Sequence, residues 1–136
     1  MVNNEDIEKE IMEKLLVKKE QLDMDMRAIA DKLSNIFKIE ESGEVLFSDF
    51  SSLDDDQKTL ALLTGKFFAT RWGLINSDRM KITDIAKVLA RPRTTLSNKI
   101  KVMVKNGLVS RDTNDSRYYI DKNRLKDIVQ QITKGV

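Results

Sequence analysis

The sequence predicts a mainly α fold with a small β-hairpin near its C-terminal end. Two observations carry that expectation. Apolar residues recur at helical spacing in five separate stretches, and a single short pair of β-rich segments, "LVSRD" and "RYYID", flanks the turn-forming "TNDS". With 136 residues, 40% of them hydrophobic, the chain has material for one modest core and an appendage.

Residues 5–38 read as one long helix or two end to end, free of proline and glycine and rich in Glu, Lys, Leu, Ile and Met. Leu15, Leu22, Ile29 and Ile36 recur every seven positions, with Met12, Met26 and Leu33 on the companion row. Lys19 and Glu8 interrupt the two rows, so the seam weakens toward the N-terminus. A charged helix with such a stripe needs a partner surface, which makes Leu15, Leu22, Met26, Ile29, Leu33 and Ile36 the expected dimerisation residues. Packing along its own domain is the plainer alternative.

Gly43 and four serines mark a connection at "EESGEVLFSDFSSLDDD", yet Val45, Leu46, Phe47 and Phe50 are too apolar for a free linker. A short helix or strand tucked against the domain is expected there. Asp54, Asp55 and Asp56 follow; three adjacent carboxylates could hold magnesium, but before a helix they read better as capping groups and favourable charge at its N-terminus. That helix, 55–75, is apolar on more than one face through Leu60, Leu62, Leu63, Phe67, Phe68, Trp72 and Leu74, so it should be central, its aromatic residues in the core. Gly65 costs it stability unless another backbone approaches.

Lys81 and Ile82 should be extended, and Thr83 can cap a helix ending at Ala90, with Ile85, Ala86 and Leu89 inward. Pro92 suits the first turn of the next helix, 92–106, with Arg91 and Arg93 beside it. At about 100° per residue, Leu96, Ile100, Met103 and Gly107 share one face, while Thr94, Asn98, Lys101 and Lys105 gather opposite and Ser97 lies at the margin. Gly107 after Asn106 reads as a left-handed C-cap. The hairpin then spans 108–121, with Leu108, Val109 and Tyr119 inward and Arg111 and Arg117 near its tip. Leu125, Ile128, Val129 and Ile132 give a closing helix over 122–134.

Charge divides the chain. Residues 1–56 hold 7 Lys+Arg against 16 Asp+Glu, a balance of −9; residues 57–136 hold 17 against 6, a balance of +11. The second part has the electrostatic character of a polyanion binder. Between Arg91 and Arg111 there is no Asp or Glu at all, whereas a merely solvated helix would mix both signs. Asn and Thr suit base edges, and Lys and Arg suit phosphates or guanine. With no cysteine and no histidine, the chain lacks disulfides, thiolate chemistry and the usual zinc and general-base residues, so no catalytic residue, cofactor or metal is expected. No stretch approaches the roughly 20 apolar residues of a membrane span. The acidic opening "MVNNEDIEKE" is unlike a secretory signal, which points to the cytoplasm.

The stretch "TDIAKVLARPRTTLSNKIKVMVKNGLVSRDTNDSRYYI" resembles the winged helix-turn-helix of prokaryotic transcriptional regulators, especially the multiple-antibiotic-resistance (MarR) type and its archaeal relatives. The resemblance lies in Ala86, Leu89, Thr95, Leu96, Ser97, Ile100, Met103 and the Asn106-Gly107-Leu108-Val109 step, and covers about 40 residues directly. Ala90 stands where a turn glycine is common, and Asn98 where arginine often stands. The resemblance implies three parts: a helical segment at 1–40 for dimerisation or docking, a connector at 41–54, and a winged helix-turn-helix at 55–136. It also implies a homodimeric regulator that reads double-stranded DNA. Arg91, Arg93, Thr94, Thr95, Ser97, Asn98, Lys101 and Lys105 would act from the recognition helix and its approach, and Arg111 and Arg117 from the wing. A second expectation is an adaptor subunit of a transcription, replication or defence complex, docking a protein partner through the acidic helix. A third has the acidic arm covering the basic face until a partner binds.

Overall fold

In a computed structural model the protein is mainly helical with two small antiparallel sheets. The structure describes residues 4–15, 19–48 and 52–135, with backbone alone for 19–25. Phe50, and the side chain of Leu22, therefore lie outside the described residues. The chain divides into two compact units, residues 1–31 and 32–136.

The first unit holds α1 (Asn4–Leu15) and most of α2 (Lys19–Ser34). Helix ends at Ser34 rather than 38, because Phe37–Ile39 pairs as strand β1 with β2 (Val45–Phe47), in the register Phe37↔Phe47 and Ile39↔Val45. This hairpin turns the apolar part of the expected connector into a lid on the second unit's core. Phe37 and Val45 are buried, and the Phe37 and Phe47 rings lie 6.4 Å apart.

The hairpin packs on α3 (Asp55–Arg71) at Gly65. A Cβ there would lie 2.5 Å from Val45 Cγ2 and 3.4 Å from Phe37 Cε2, so the glycine makes room for side chains, not for another backbone. Asp54 starts α3 with a capping box: its carboxylate accepts from Gln57 N at 2.7 Å, and the Gln57 side chain accepts from Asp54 N at 2.9 Å. Gln57 Nε2 also donates to the carbonyls of Ile132 and Lys134, at 3.1 and 2.8 Å. One side chain thus caps α3 and ties down the C-terminal end of α6 (Leu125–Thr133). Helix α3 stops at Arg71, short of the expected 75, where Gly73 turns left-handed at φ 75°. Trp72 is consequently 60% exposed, stacked on the buried Phe68 at 5.6 Å, and is not the core residue its spacing suggests.

Strand β3 (Met80–Lys81) leads straight into α4 (Ile82–Leu89). The pairing of Met80 with Tyr118 and Lys81 with Arg117 keeps the chain extended through Lys81, so the helix begins at Ile82. Thr83 lies inside the first turn and does not cap it; Lys81 occupies the N-cap without a side-chain bond. Pro92 takes the N-cap of α5 (Arg93–Lys105), one residue before its first turn. Gly107, at φ 79°, reverses the chain after α5, with Leu108 N donating to Met103 O at 3.1 Å. Strands β4 (Val109–Arg111) and β5 (Arg117–Ile120) complete a sheet of order β3-β5-β4, and a 3-10 turn at Lys122–Arg124 precedes α6.

Three of the expected dimerisation residues already serve this chain. Leu33 and Ile36 are 4% and 3% exposed within the second unit's core, and Ile29 is 8% exposed. The seven-residue row runs into the chain's own interior because its C-terminal members sit where the helix gives way to β1. Met26 is half-buried and Leu15 is exposed.

Ala90 ends α4 at φ 53°, ψ 44°, a left-handed conformation that a Cβ makes costly. Replacing it with glycine removes that cost while loosening the unfolded chain, and should raise stability by about 0.5–1 kcal/mol. Thermal or urea unfolding of Ala90→Gly checks this: the midpoint should move up.

Candidate nucleic-acid interface

Helix α5 is turned by its apolar residues. Leu96 and Ile100 are 0% exposed and Met103 is 4%, so the opposite face must meet solvent. That face presents Thr94, Asn98, Lys101 and Lys105, all exposed, with Thr95 and Ser97 half-buried at its flanks. Arg93 opens the helix, exposed. Among the described residues Arg93, Lys101 and Lys105 make no ion pair. The result is a row of hydroxyl and amide groups bordered by cations whose charge is not cancelled nearby.

The other predicted arginines are engaged. Arg91 donates through Nη2 and Nε to Asp55 Oδ2, at 3.0 and 3.3 Å, which joins the α4–α5 turn to the start of α3. Arg111 Nη2 donates to Ser116 Oγ at 2.8 Å. Arg117 Nε lies 3.4 Å from Asp115 Oδ2, buried and without a hydrogen bond. The hairpin tip, residues 112–116, carries Asp112 and Asp115 beside these arginines, so its cationic character is largely offset. Ser116 turns it at φ 58°.

Sequence reasoning missed Arg79. From the loop before β3, its guanidinium donates to Asp112 at the hairpin tip and lies 4.4 Å over the Tyr119 ring. Asp112 also accepts from Asn114 N at 2.9 Å. That backbone bond above all, assisted by Arg79, holds the Asp112 carboxyl below its ordinary pKa, and Asp112 in turn raises Arg79. The clamp thus ties the loop before β3 to the hairpin tip and to Tyr119 of β5. Nothing local announces a pair separated by 33 residues.

Two further features border α5. Val102, 57% exposed, stands beside an open groove of about 790 Å³ between the start of α3, the end of α5 and α6. Asp54, Asp56, Asp127 and Arg124 line it, and Arg124 pairs with Asp127 at 2.8 Å. Partial burial raises the Asp56 carboxyl above its ordinary range, opposed by Lys99 across the helix junction. Among the described residues no three acidic side chains converge as a metal site, and no helix is long and apolar enough to cross a membrane.

Comparison of the chain with protein-family models, curated proteins and solved structures gives no match.

The Asp112 clamp has a pH signature. A carboxyl depressed in the folded state contributes stability above its unfolded pKa of about 3.9 and loses it as pH falls through the lower folded value. Carboxyl NMR titration should therefore place Asp112 below 3.9, and Arg79→Ala should move it up only part of the way, because the Asn114 bond remains. A full return to the ordinary value would mean that the backbone bond does not survive without Arg79.

Proposed function

We propose that the chain is a sequence-specific, double-stranded-DNA-binding transcriptional regulator of the cytoplasm, working as a homodimer. In this reading residues 55–136 are a winged helix-turn-helix, as the resemblance to MarR-type and archaeal regulators implies, with α5 as recognition helix and the β4–β5 hairpin as wing. One observation supports it above the rest: the exposed row Thr94, Asn98, Lys101 and Lys105, headed by Arg93, with no acid between Arg91 and Arg111.

The N-terminal half of α5 would enter the major groove, where Asn98 can pair with adenine N6 and N7, and Thr94, Thr95 and Ser97 can take base edges or phosphates. Arg93, Lys101 and Lys105 supply phosphate contacts. Arg91, held by Asp55, keeps one guanidinium nitrogen outside that pair for the backbone. The wing takes a smaller share than its sequence suggests, since Arg111 and Arg117 are tied to Ser116 and Asp115. Two copies would place two α5 helices on half-sites about one DNA turn, roughly 34 Å, apart, and so favour a near-palindromic operator.

The adaptor reading keeps one observation in its favour: a wing whose Arg117 is paired with Asp115, whose Arg111 is bonded to Ser116 and whose tip carries Asp112 is as suited to a protein as to phosphate.

Fluorescence anisotropy against a random-sequence duplex pool and RNA of equal length, over a salt series, separates the two. DNA reading expects steeply salt-dependent duplex binding. Arg93→Ala should weaken all duplexes alike and lower the salt slope by about 1, whereas Asn98→Ala should cost about 1–3 kcal/mol on the preferred site and little elsewhere. Folded protein that binds neither nucleic acid near physiological salt would move the reading to the adaptor.

A further inference from the structure

Arg91 stands between two backbone constraints. Ala90 before it is left-handed at φ 53°, Pro92 after it is held at φ −59°, and Arg91 N donates to Ala86 O at 3.1 Å. Its backbone is therefore set by the α4–α5 turn, whereas its long side chain is set by Asp55, 36 residues earlier. Asp55 is the anchored partner. It opens α3 directly after the Asp54 cap, Thr59 Oγ1 donates to its carbonyl at 2.8 Å, and its side chain is 14% exposed against 44% for Arg91. One oxygen, Oδ2, accepts from both Nε and Nη2, so the carboxylate occupies a single edge of the guanidinium. Nη1 makes no bond among the described residues.

We propose that Asp55 is a positioning residue for duplex binding, holding one edge of the Arg91 guanidinium so that the other edge meets a DNA phosphate beside Arg93. The inference rests on the DNA reading above. Arginine carries five donors in a planar fork, so a carboxylate can take one edge while a phosphate takes the other, which a lysine ammonium cannot reproduce. Immobilising a long, flexible side chain is a cost of binding, and the Asp55 pair meets it before DNA arrives. The opposite role, in which Asp55 withholds Arg91 from DNA, would need the carboxylate to cover the guanidinium; instead one edge stays open and Arg91 remains partly exposed. The two roles differ in sign. By charge alone, losing an acid beside phosphates strengthens binding, so a weaker complex without Asp55 can come only from the loss of its hold on Arg91.

Anisotropy of the full-length chain against the random-sequence duplex pool, over a salt series, tests this with Asp55→Asn, Arg91→Ala and the double variant. Asp55→Asn leaves the Asp54–Gln57 capping box in place, and circular dichroism checks its fold. It should weaken duplex binding about threefold to tenfold at fixed salt, without steepening the salt slope, and should add no further loss in the Arg91→Ala background. Unchanged or tighter binding by folded Asp55→Asn overturns the proposal, as does a loss that persists undiminished without Arg91. Tighter binding with a slope steeper by about 1 would identify Asp55 as a residue that withholds Arg91. Arg91→Lys leaves α3 untouched and decides the matter should Asp55→Asn not fold: it keeps the charge but loses the fork, so it should bind more weakly than the parent, and parental affinity overturns the proposal. A parent chain that binds duplex while any of these expectations fails leaves the DNA reading standing and removes only the role of Asp55. A folded parent that binds no duplex overturns both.

Discussion

Burial of Leu96, Ile100 and Met103 fixes the rotation of α5 about its axis, and that rotation decides which side chains the helix offers to solvent. Each of these residues gains about 1.5–3 kcal/mol from leaving water, so turning the helix by one residue would cost more than any surface contact could restore. The polar row opposite is therefore held by the core behind it. Its chemistry can be arranged without regard to packing, which is why hydroxyls, an amide and lysines can stand there with no acid to neutralise them. Proposed recognition of DNA rests on this division of one helix into a fixed apolar side and a free polar one.

The scaffold behind that helix is α3, and several of its features bear on the exposed polar face of α5 at a distance. Asp54 and Gln57 cap its start, Gln57 holds the end of α6, and Asp55 reaches Arg91 in the turn before α5. Three adjacent carboxylates thus have three different surroundings: a cap, an ion pair, and a partly buried site near Lys99. On the other side, Gly65 admits Val45 and Phe37, so the β1–β2 hairpin closes the core without separating α3 from the elements it supports.

Local signals were legible in the sequence. Pro92 and Gly107 bracket α5 because proline suits a helix start, here the N-cap rather than the first turn, and glycine a left-handed exit, and the 100° spacing of Leu96, Ile100 and Met103 identifies the buried face. Features that depend on distant partners were not. Arg91 and Asp55 are 36 residues apart, Arg79 and Asp112 33, and a count of basic residues cannot tell an engaged arginine from a free one. Trp72 has the spacing of a core residue, but the helix ends beneath it at Arg71. The heptad row shows the same limit: periodicity says that Leu33 and Ile36 need burial, not whether another chain or their own provides it. The apolar row left exposed lies further toward the N-terminus, at Ile7, Ile11 and Leu15, where the seven-residue pattern is weakest.

The proposed function requires one face of α5 to meet duplex DNA. Amide chemical shifts of isotopically labelled protein, followed as a random-sequence duplex is added at low salt, test it residue by residue. Recognition through α5 predicts that the largest changes map to Arg93, Thr94, Asn98, Lys101 and their neighbours, smaller ones to the hairpin tip, and none to Trp72 or the β1–β2 hairpin. Changes centred on another surface, or none in a folded protein, would contradict it.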